Sequence, residues 1–167
     1  MLTYSPTDLP TYQLLAGSSE AFRVANRLVA PDGTPLGPAD FGLLRQSSCS
    51  SIDGVSDTLA FEQLRASLDL AGVAQAQYEE LFSIVAGLLH LGSVGFVKAD
   101  AEDENCGSRP DPSSASSLAA ACDLLGLPHL SERLTSRQIS AGVRAYTRTP
   151  THVFNHLLAC PWTPRAF

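Results

Sequence analysis

The sequence is short of positive charge. Its 167 residues contain eleven Lys and Arg against seventeen Asp and Glu, so the formal net charge is −6. Binding to nucleic acid without sequence preference requires a basic surface, and this balance argues against such a partner. No apolar run is long enough to cross a bilayer, so no membrane span is predicted. Residues 1–10 lack the basic and apolar regions of a secretory signal, and no signal is predicted there.

Cysteine is sparse as well. The four cysteines are scattered along the chain and form no C-x-x-C pair. Because no secretory signal is predicted, we interpret all four as reduced thiols of an intracellular protein. Cys122 falls on the apolar face of a predicted helix, so a core thiol is favoured there over a reactive one. The other three are Cys49, Cys106 and Cys160.

Several motifs that mark catalytic sites are missing. The sequence contains no G-x-x-x-x-G-K-[ST] and no G-x-G-x-x-G, so no phosphate-binding loop is predicted. It contains no G-x-S-x-G and no H-E-x-x-H. We therefore predict no catalytic residue, no cofactor-binding residue and no metal ligand in this chain.

Two residues, His90 and Asp53, could have either a catalytic or a structural role. His90 would serve as a catalytic base if a substrate reached it. It lies in the last turn of a predicted helix, however, and a stabilising interaction with the helix dipole is favoured. Asp53 belongs to an Asp-Gly pair, where a turn-forming role is favoured over catalysis.

A metal site in the C-terminal segment is a third chemical interpretation. His152, His156 and Cys160 follow i, i+4, i+8 spacing and would face a metal from one helix. Cys160 precedes Pro161, which must end such a helix, and no fourth ligand is near in sequence. A chance pattern on an amphipathic segment is therefore favoured.

An acidic cluster interrupts the apolar pattern between residues 99 and 117. The rest of this stretch is rich in Ser, Pro and Gly, and we predict a mobile, solvated loop over residues 99–117. A divalent cation would need a turn that converges the carboxylates, and no such turn is present. The cluster consists of Asp100, Glu102, Asp103 and Glu104.

What the sequence does contain is a helical pattern centred on Gln77–Phe96. Hydrophobic residues make up 44% of the chain and charged residues 17%, which is typical of a globular protein. Gly87 in mid-helix predicts a close neighbour, and Gly92 predicts a left-handed residue after the helix. Val94 and Phe96 predict a short strand. The predicted apolar stripe of this helix is Tyr78, Leu81, Phe82, Val85, Leu88 and Leu89.

Other segments repeat the same helical pattern, so the predicted fold class is mainly α with one or two short strands. A helix is predicted at Thr11–Gly17, and Ser18 is expected to cap a second helix. That second helix would present Phe22, Ala25, Leu28 and Val29 on one face. Ser56 or Asp57 is expected to cap a third helix, with Phe61, Leu64 and Leu68 on one face. Later helices are predicted around Leu118–Leu125, with Gly126 as the stop, and at Leu130–Leu134.

Five blocks of the sequence, in this order and spacing, resemble the motor domain of myosin heavy chains. The resemblance implies a piece of a P-loop NTPase-type motor, from the upper 50-kilodalton subdomain, over about residues 11–150. Residues 1–10 and 151–167 depart from the family pattern. The blocks are TYQLLAG at Thr11–Gly17, SSIDGVSD at Ser50–Asp57, LFSIVAGLLHLGSVGF at Leu81–Phe96, AAACDLLGL at Ala119–Leu127 and LTSRQISAG at Leu134–Gly142.

The resemblance implies an ATP-driven, actin-based cytoskeletal motor in the cytoplasm, with MgATP as its cofactor and actin as its partner. The family's P-loop (GESGAGKT), switch I (NxNSSRFGK) and switch II (DIxGFE) are all absent from this sequence. Phosphoryl transfer needs the groups that those motifs supply, so we expect the chain alone to neither bind nor hydrolyse ATP. Our hypothesis is a truncated, alternatively spliced or mis-predicted product of a myosin gene.

Separation from the rest of a motor has a physical consequence. The apolar faces of the central helix would lose part of their cover, and a large exposed apolar patch favours aggregation. We therefore expect a loosely packed or aggregation-prone chain. The alternative function is a small helical interaction module without catalysis, which would use the same surface to bind a partner.

Overall fold

The computed structural model describes residues 9–46, 54–99 and 107–136. Within these residues the chain forms six α-helices and two β-strands, so the predicted mainly helical class is confirmed. Short 3-10 turns occupy Pro38–Asp40 and Pro112–Ser114. The elements are α1 (Leu9–Gly17), α2 (Glu20–Ala25), α3 (Asp57–Leu70), α4 (Gln75–Leu91), β1 (Phe96–Lys98), β2 (Ser108–Pro110), α5 (Ala115–Leu125) and α6 (Leu130–Thr135).

The chain divides into two compact units, which are described separately. Among the described residues, the helical unit comprises 9–46, 54–94 and 114–128, and the hairpin unit comprises 95–99, 107–113 and 129–136. The core of the helical unit collects side chains from α1, α3 and α4 and from the segments that follow α2. Its largest buried members are Tyr12, Leu14, Leu28, Phe41, Phe61, Tyr78, Phe82 and Leu89.

Local capping fixes where the core helices begin. The Ser56 hydroxyl accepts the Leu59 N–H at the start of α3, so one of the two predicted caps is confirmed. At the start of α4 the Gln77 side chain accepts the Ala74 N–H at 3.1 Å. Phe61 of α3 and Phe82 of α4 then pack with ring centroids 5.0 Å apart. The aromatic contact anchors α4 on α3 through the residues that the sequence pattern placed inward.

The predicted apolar stripe of α4 is partly wrong. Tyr78, Phe82 and Leu89 are buried as expected, but Leu81 is 53% exposed and Leu88 is 49% exposed. Both lie about 100–120° around the helix from Phe82, beyond the face that α1 and α3 cover. Sequence periodicity identifies apolar positions, but the number of neighbouring elements decides which of them are covered.

Gly92 ends α4 for a reason that differs from the prediction. Its φ is −67° and its ψ is −10°, in the right-handed region, so no left-handed residue is needed there. A Cβ at this position would instead lie 2.1 Å from Leu43 Cγ. The glycine permits close approach of the segment that follows Phe41. At Gly126, by contrast, φ is +65° and the predicted left-handed stop of α5 is confirmed.

The second predicted helix is shorter than its apolar pattern. Ser19 rather than Ser18 caps α2, and the helix ends at Ala25. Arg27 has a φ of +56°, which turns the chain out of the helix before Leu28. Val29 then forms an antiparallel bridge with Pro35. The predicted face of α2 therefore mixed helical residues with the first residues of an extended turn.

The hairpin unit corrects the predicted loop over residues 99–117. Strand β1 pairs antiparallel with β2, with Phe96 opposite Pro110. The Asp111 N–H donates to the Gly95 carbonyl at 2.8 Å and extends this pairing. The loop prediction is therefore wrong from residue 108 onward, because backbone pairing of a three-residue strand leaves almost no signal in a Ser- and Pro-rich composition. Residues 100–106, which include the acidic cluster, lie outside the described residues.

The glycines that follow α4 and α5 should respond to substitution in different ways. Gly92→Ala is expected to lower the free energy of unfolding by about 1–3 kcal/mol, because the new methyl group collides with Leu43. Leu43→Ala in the same chain should recover part of that loss. Gly126→Ala is expected to cost about 1 kcal/mol through its backbone conformation alone. Urea unfolding followed by circular dichroism measures both.

The control is Gly126→Asn, which tolerates the left-handed region better than Ala and should be the milder change. If Gly92→Ala lowers the free energy of unfolding equally with and without Leu43→Ala, the collision with Leu43 is not the cause of the loss.

Candidate functional site

An open cleft in the helical unit has a volume of about 580 Å³, which is within the range of small-molecule sites. Its walls come from the end of α2, the residues between Val29 and Phe41, the end of α4 and the first turns of α5. Apolar side chains form much of the lining, among them Val24, Val29, Leu36, Phe41, Ala119 and Ala120. The polar members are Arg27, Asp40, His90, Ser93, Ser116 and Ser117.

His90 is the buried titratable group of this cleft. The residue is 5% exposed, and its Nε2 lies 3.2 Å from the Asn26 carbonyl oxygen. The Phe41 ring packs edge-on against the imidazole, with centroids 5.6 Å apart. Since a carbonyl oxygen only accepts, Nε2 is assigned as the protonated nitrogen that donates.

The environment of His90 favours the neutral imidazole. Burial lowers the pKa of His90 below its ordinary value, while the hydrogen bond to the Asn26 carbonyl raises it. The positive charge of Arg27 lowers the pKa further. His90 does lie in the last turn of α4, as predicted, but a neutral ring lacks the charge that the helix dipole would favour. Its N–H is engaged by a backbone carbonyl, an arrangement that orients the ring and offers no activated nucleophile.

Two neighbouring residues at the end of α2 are unusual. Arg27 is the one residue other than glycine that has a positive φ in the described part of the chain. Its Nη2 donates to the carboxylate of Asp123 on α5. Asn26 is 3% exposed, and its Nδ2 donates to the Phe22 carbonyl at 2.9 Å. Its Oδ1 is buried without a hydrogen-bond partner among the residues that the structure describes.

Ser93 joins two walls of the cleft. Its hydroxyl accepts the Gly42 N–H at 3.0 Å and donates to the Leu89 carbonyl at 3.1 Å. These bonds connect the segment after Phe41 to the end of α4, beside the close contact between Gly92 and Leu43. Two walls of the cleft are therefore joined by hydrogen bonds between one hydroxyl group and the backbone.

A second surface feature is an exposed apolar stripe on α4. We call Leu81, Ile84 and Leu88 the α4 stripe; they follow i, i+3, i+7 spacing and are each about half exposed. On an adjacent face of the helix, α5 approaches closely at Gly87, where an added Cβ would lie 2.9 Å from Leu125 Cγ. The close neighbour predicted for Gly87 is thus confirmed, whereas the α4 stripe is only about half covered in the described structure.

Most residues that the sequence singled out lie outside the described part. This applies to His152, His156 and Cys160, to Asp53 and to the acidic cluster. Cys122 is described and is a free, half-buried thiol on α5, so it is less enclosed than a core thiol. The described residues contain no group of three His, Cys, Asp or Glu side chains placed to hold a metal. None of the described helices combines the length and the hydropathy that a membrane span requires.

The sequence did not point to Asn26 or Arg27. The pair follows the last helical residue of α2 at a position where glycine is the common helix stop. The one sequence feature that could have pointed to this site is the Asn-Arg pair in place of the usual glycine. The pair becomes part of the site only through its contacts to His90 and Asp123, which are distant in sequence.

Comparison with known proteins shows which family this sequence resembles. The family described as myosin head (motor domain) matches residues 11–157. Myosin heavy chain IB of Acanthamoeba castellanii is 38% identical over 85 residues, covering 51% of this chain and 7% of that protein. Myosin-5 of Arabidopsis thaliana is 31% identical over 112 residues, covering 67% of this chain and 7% of that protein.

Unconventional myosin-Vb of Homo sapiens is 32% identical over 112 residues, covering 66% of this chain and 6% of that protein. The chain belongs to the myosin head (motor domain) family, and the resemblance predicted from its five blocks is confirmed. It spans less than a tenth of the length of these curated relatives.

The buried His90 predicts an acid-sensitive stability. The unfolded chain has an ordinary His pKa of about 6.5, and the folded pKa is lower, so the unfolded state binds more protons between the two values. The free energy of unfolding should therefore fall as the pH drops below about 6.5, by at most about 1.4 kcal/mol per pH unit from this group. Urea unfolding at several pH values measures the slope.

His90→Gln keeps a side-chain N–H donor and should flatten this slope. His129→Gln is the matched control, because the His129 side chain is 77% exposed, and it should leave the slope unchanged. Equal slopes in the wild type and in His90→Gln would contradict a neutral, buried His90.

Proposed function

We propose that this chain is a helical segment of a myosin head that contributes packing surface and carries no catalytic group. The α4 stripe is the observation that supports this role. Three large apolar side chains on the longest described helix are each about half exposed, although six other residues of that helix are buried. A surface of this kind is typical of an element that is covered by further protein. In the complete head, that cover would come from the other parts of the motor.

In the complete motor, ATP would be bound and hydrolysed by segments other than this chain. Phosphoryl transfer requires backbone amides and a Lys around the phosphates, a Mg²⁺ ligand and a positioned water. The sequence has none of the three nucleotide motifs of the family, and Lys98 is its one lysine. The complete motor would be an ATP-driven, actin-based machine of P-loop NTPase type that uses MgATP in the cytoplasm and cytoskeleton. Actin and the remaining parts of the head would be the partners of this segment only within that assembly.

The first test is titration of the chain with MgATP. Isothermal calorimetry at protein concentrations suited to micromolar affinity should give no saturable heat, because the motifs that surround the phosphates are absent from the sequence. A complete myosin head with intact nucleotide motifs serves as the positive control. Stoichiometric binding by the 167-residue chain would overturn the assignment of ATP chemistry to other segments.

A second candidate function rests on the same α4 stripe. In this alternative the chain is a helical interaction module that binds another protein through Leu81, Ile84 and Leu88. Glu80 precedes the stripe and is exposed, so a partner helix with basic residues would suit its charge. A defined complex with a separate protein on native gels would favour this alternative over a segment of the head.

Both candidates predict that the α4 stripe drives association of the isolated chain. Replacing Leu81, Ile84 and Leu88 together by Gln should shift the chain from mixed aggregates toward monomer, because the exposed apolar surface is removed. The free energy of unfolding should fall only modestly, since these side chains are already about half exposed in the folded chain. Sedimentation velocity measures the association state.

Leu70→Gln is the matched control. Leu70 is 90% exposed at the end of α3, outside the α4 stripe, and its replacement should leave the association state unchanged. A sharp cooperative melt and a single oligomeric state in the unmodified chain would contradict the predicted tendency to aggregate.

A further inference from the structure

Two irregular features lie at or beside one wall of the cleft described above. Arg27, which lines the cleft, holds a positive φ. Asn26 precedes it and has a buried oxygen without a partner in the described structure, and its carbonyl is bonded to His90, which also lines the cleft. The positive φ and the unpaired oxygen are each unfavourable for folding. Unfavourable backbone and polar groups concentrate where a protein holds a ligand, so their position beside the cleft supports a binding site there.

The interior of the cleft favours an apolar body. Val29, Leu36 and Phe41 line one side, and Ala119 and Ala120 of α5 line another. The two alanines leave room where larger residues would fill the space. A volume of about 580 Å³ suits a ligand with a bicyclic ring system and leaves its polar end at the opening.

The opening of the cleft favours a carboxylate. Arg27 lines the cleft, and its side chain is 50% exposed, so its charge is not fully desolvated. Among the described residues its guanidinium is engaged through Nη2, by Asp123, and a guanidinium carries five N–H donors in a planar fork that matches a carboxylate. Asp40 also lines the cleft, where its carboxylate accepts the Gly37 N–H at 2.7 Å. The anionic end of a ligand is therefore expected beside Arg27 and away from Asp40.

We propose that this cleft binds a small aromatic carboxylic acid, with its ring among the apolar side chains of α5 and of residues 29–41 and its carboxylate on Arg27. This site is distinct from the α4 stripe, and it does not depend on whether the chain acts within a myosin head. The ligand would compete with Asp123 for the guanidinium, so occupancy of the cleft and the contact between Arg27 and α5 are linked.

The test compares two probes of equal shape. Naphthalene-2-carboxylate and naphthalene-2-carboxamide are titrated separately into the full 167-residue chain in which Leu81, Ile84 and Leu88 are replaced by Gln to keep it monomeric, and amide shifts are followed by nitrogen-15 correlation spectra. Saturable shifts are expected at Arg27, His90 and Ala119, with the carboxylate bound about fivefold more tightly than the amide. Arg27→Gln should remove that preference, Arg27→Lys should restore part of it, and Asp123→Asn should tighten carboxylate binding.

A second variant keeps the proposal testable if changes at Arg27 disturb the backbone. Ala119 lies on the exposed rim, so Ala119→Phe should fill the cleft without burying a strained side chain and weaken both probes about tenfold or more. Leu70→Phe is the control and should leave binding unchanged. No saturable shift, equal affinity for the two probes, or shifts confined to the α4 stripe would each overturn the proposal.

Discussion

The close approach of α5 to α4 at Gly87 is the contact on which the helical unit depends. Leu124 and Leu125 occupy the space where a side chain at Gly87 would stand. Since α5 follows α4 only after the hairpin strands, this contact returns the chain to its central helix. It also brings Ala119, Ala120 and Asp123 to the end of α2, where Arg27 meets Asp123 and the cleft forms. The candidate site thus depends on a close helix contact that Gly87 permits.

The sequence was most informative where a single residue decides the local structure. Ser56 caps α3 and Gly126 stops α5, because a hydroxyl that accepts an N–H and a left-handed backbone are properties of one residue and its neighbours. Gly92 illustrates the limit of this reasoning. It ends α4 as expected, but it is needed because Leu43 lies against it, and that contact joins residues far apart in sequence.

Burial was predicted less well than helicity for the same reason. Leu81 and Leu88 have the spacing of buried residues, yet they are exposed because no described element lies over them. The second strand was missed because Ser108–Pro110 is defined by backbone pairing with Phe96–Lys98 rather than by its composition. The candidate cleft was missed entirely, since Asn26 and Arg27 gain their significance only from His90 and Asp123.

The described structure shows close packing at specific glycines and a buried histidine whose environment favours the neutral form. The block Leu81–Phe96 that resembles the family contains Gly87 and Gly92, and the structure uses these glycines for the α4–α5 contact and for the junction between Gly92 and Leu43. Its buried histidine is bonded to a backbone carbonyl, and burial lowers the pKa of that group, which favours the neutral imidazole. A neutral donor fixed on a carbonyl stabilises a fold without the energetic cost of a buried charge. The demand on such a segment is therefore geometric: it must present the right surface, and the half-exposed α4 stripe is the part of that surface still open among the described residues.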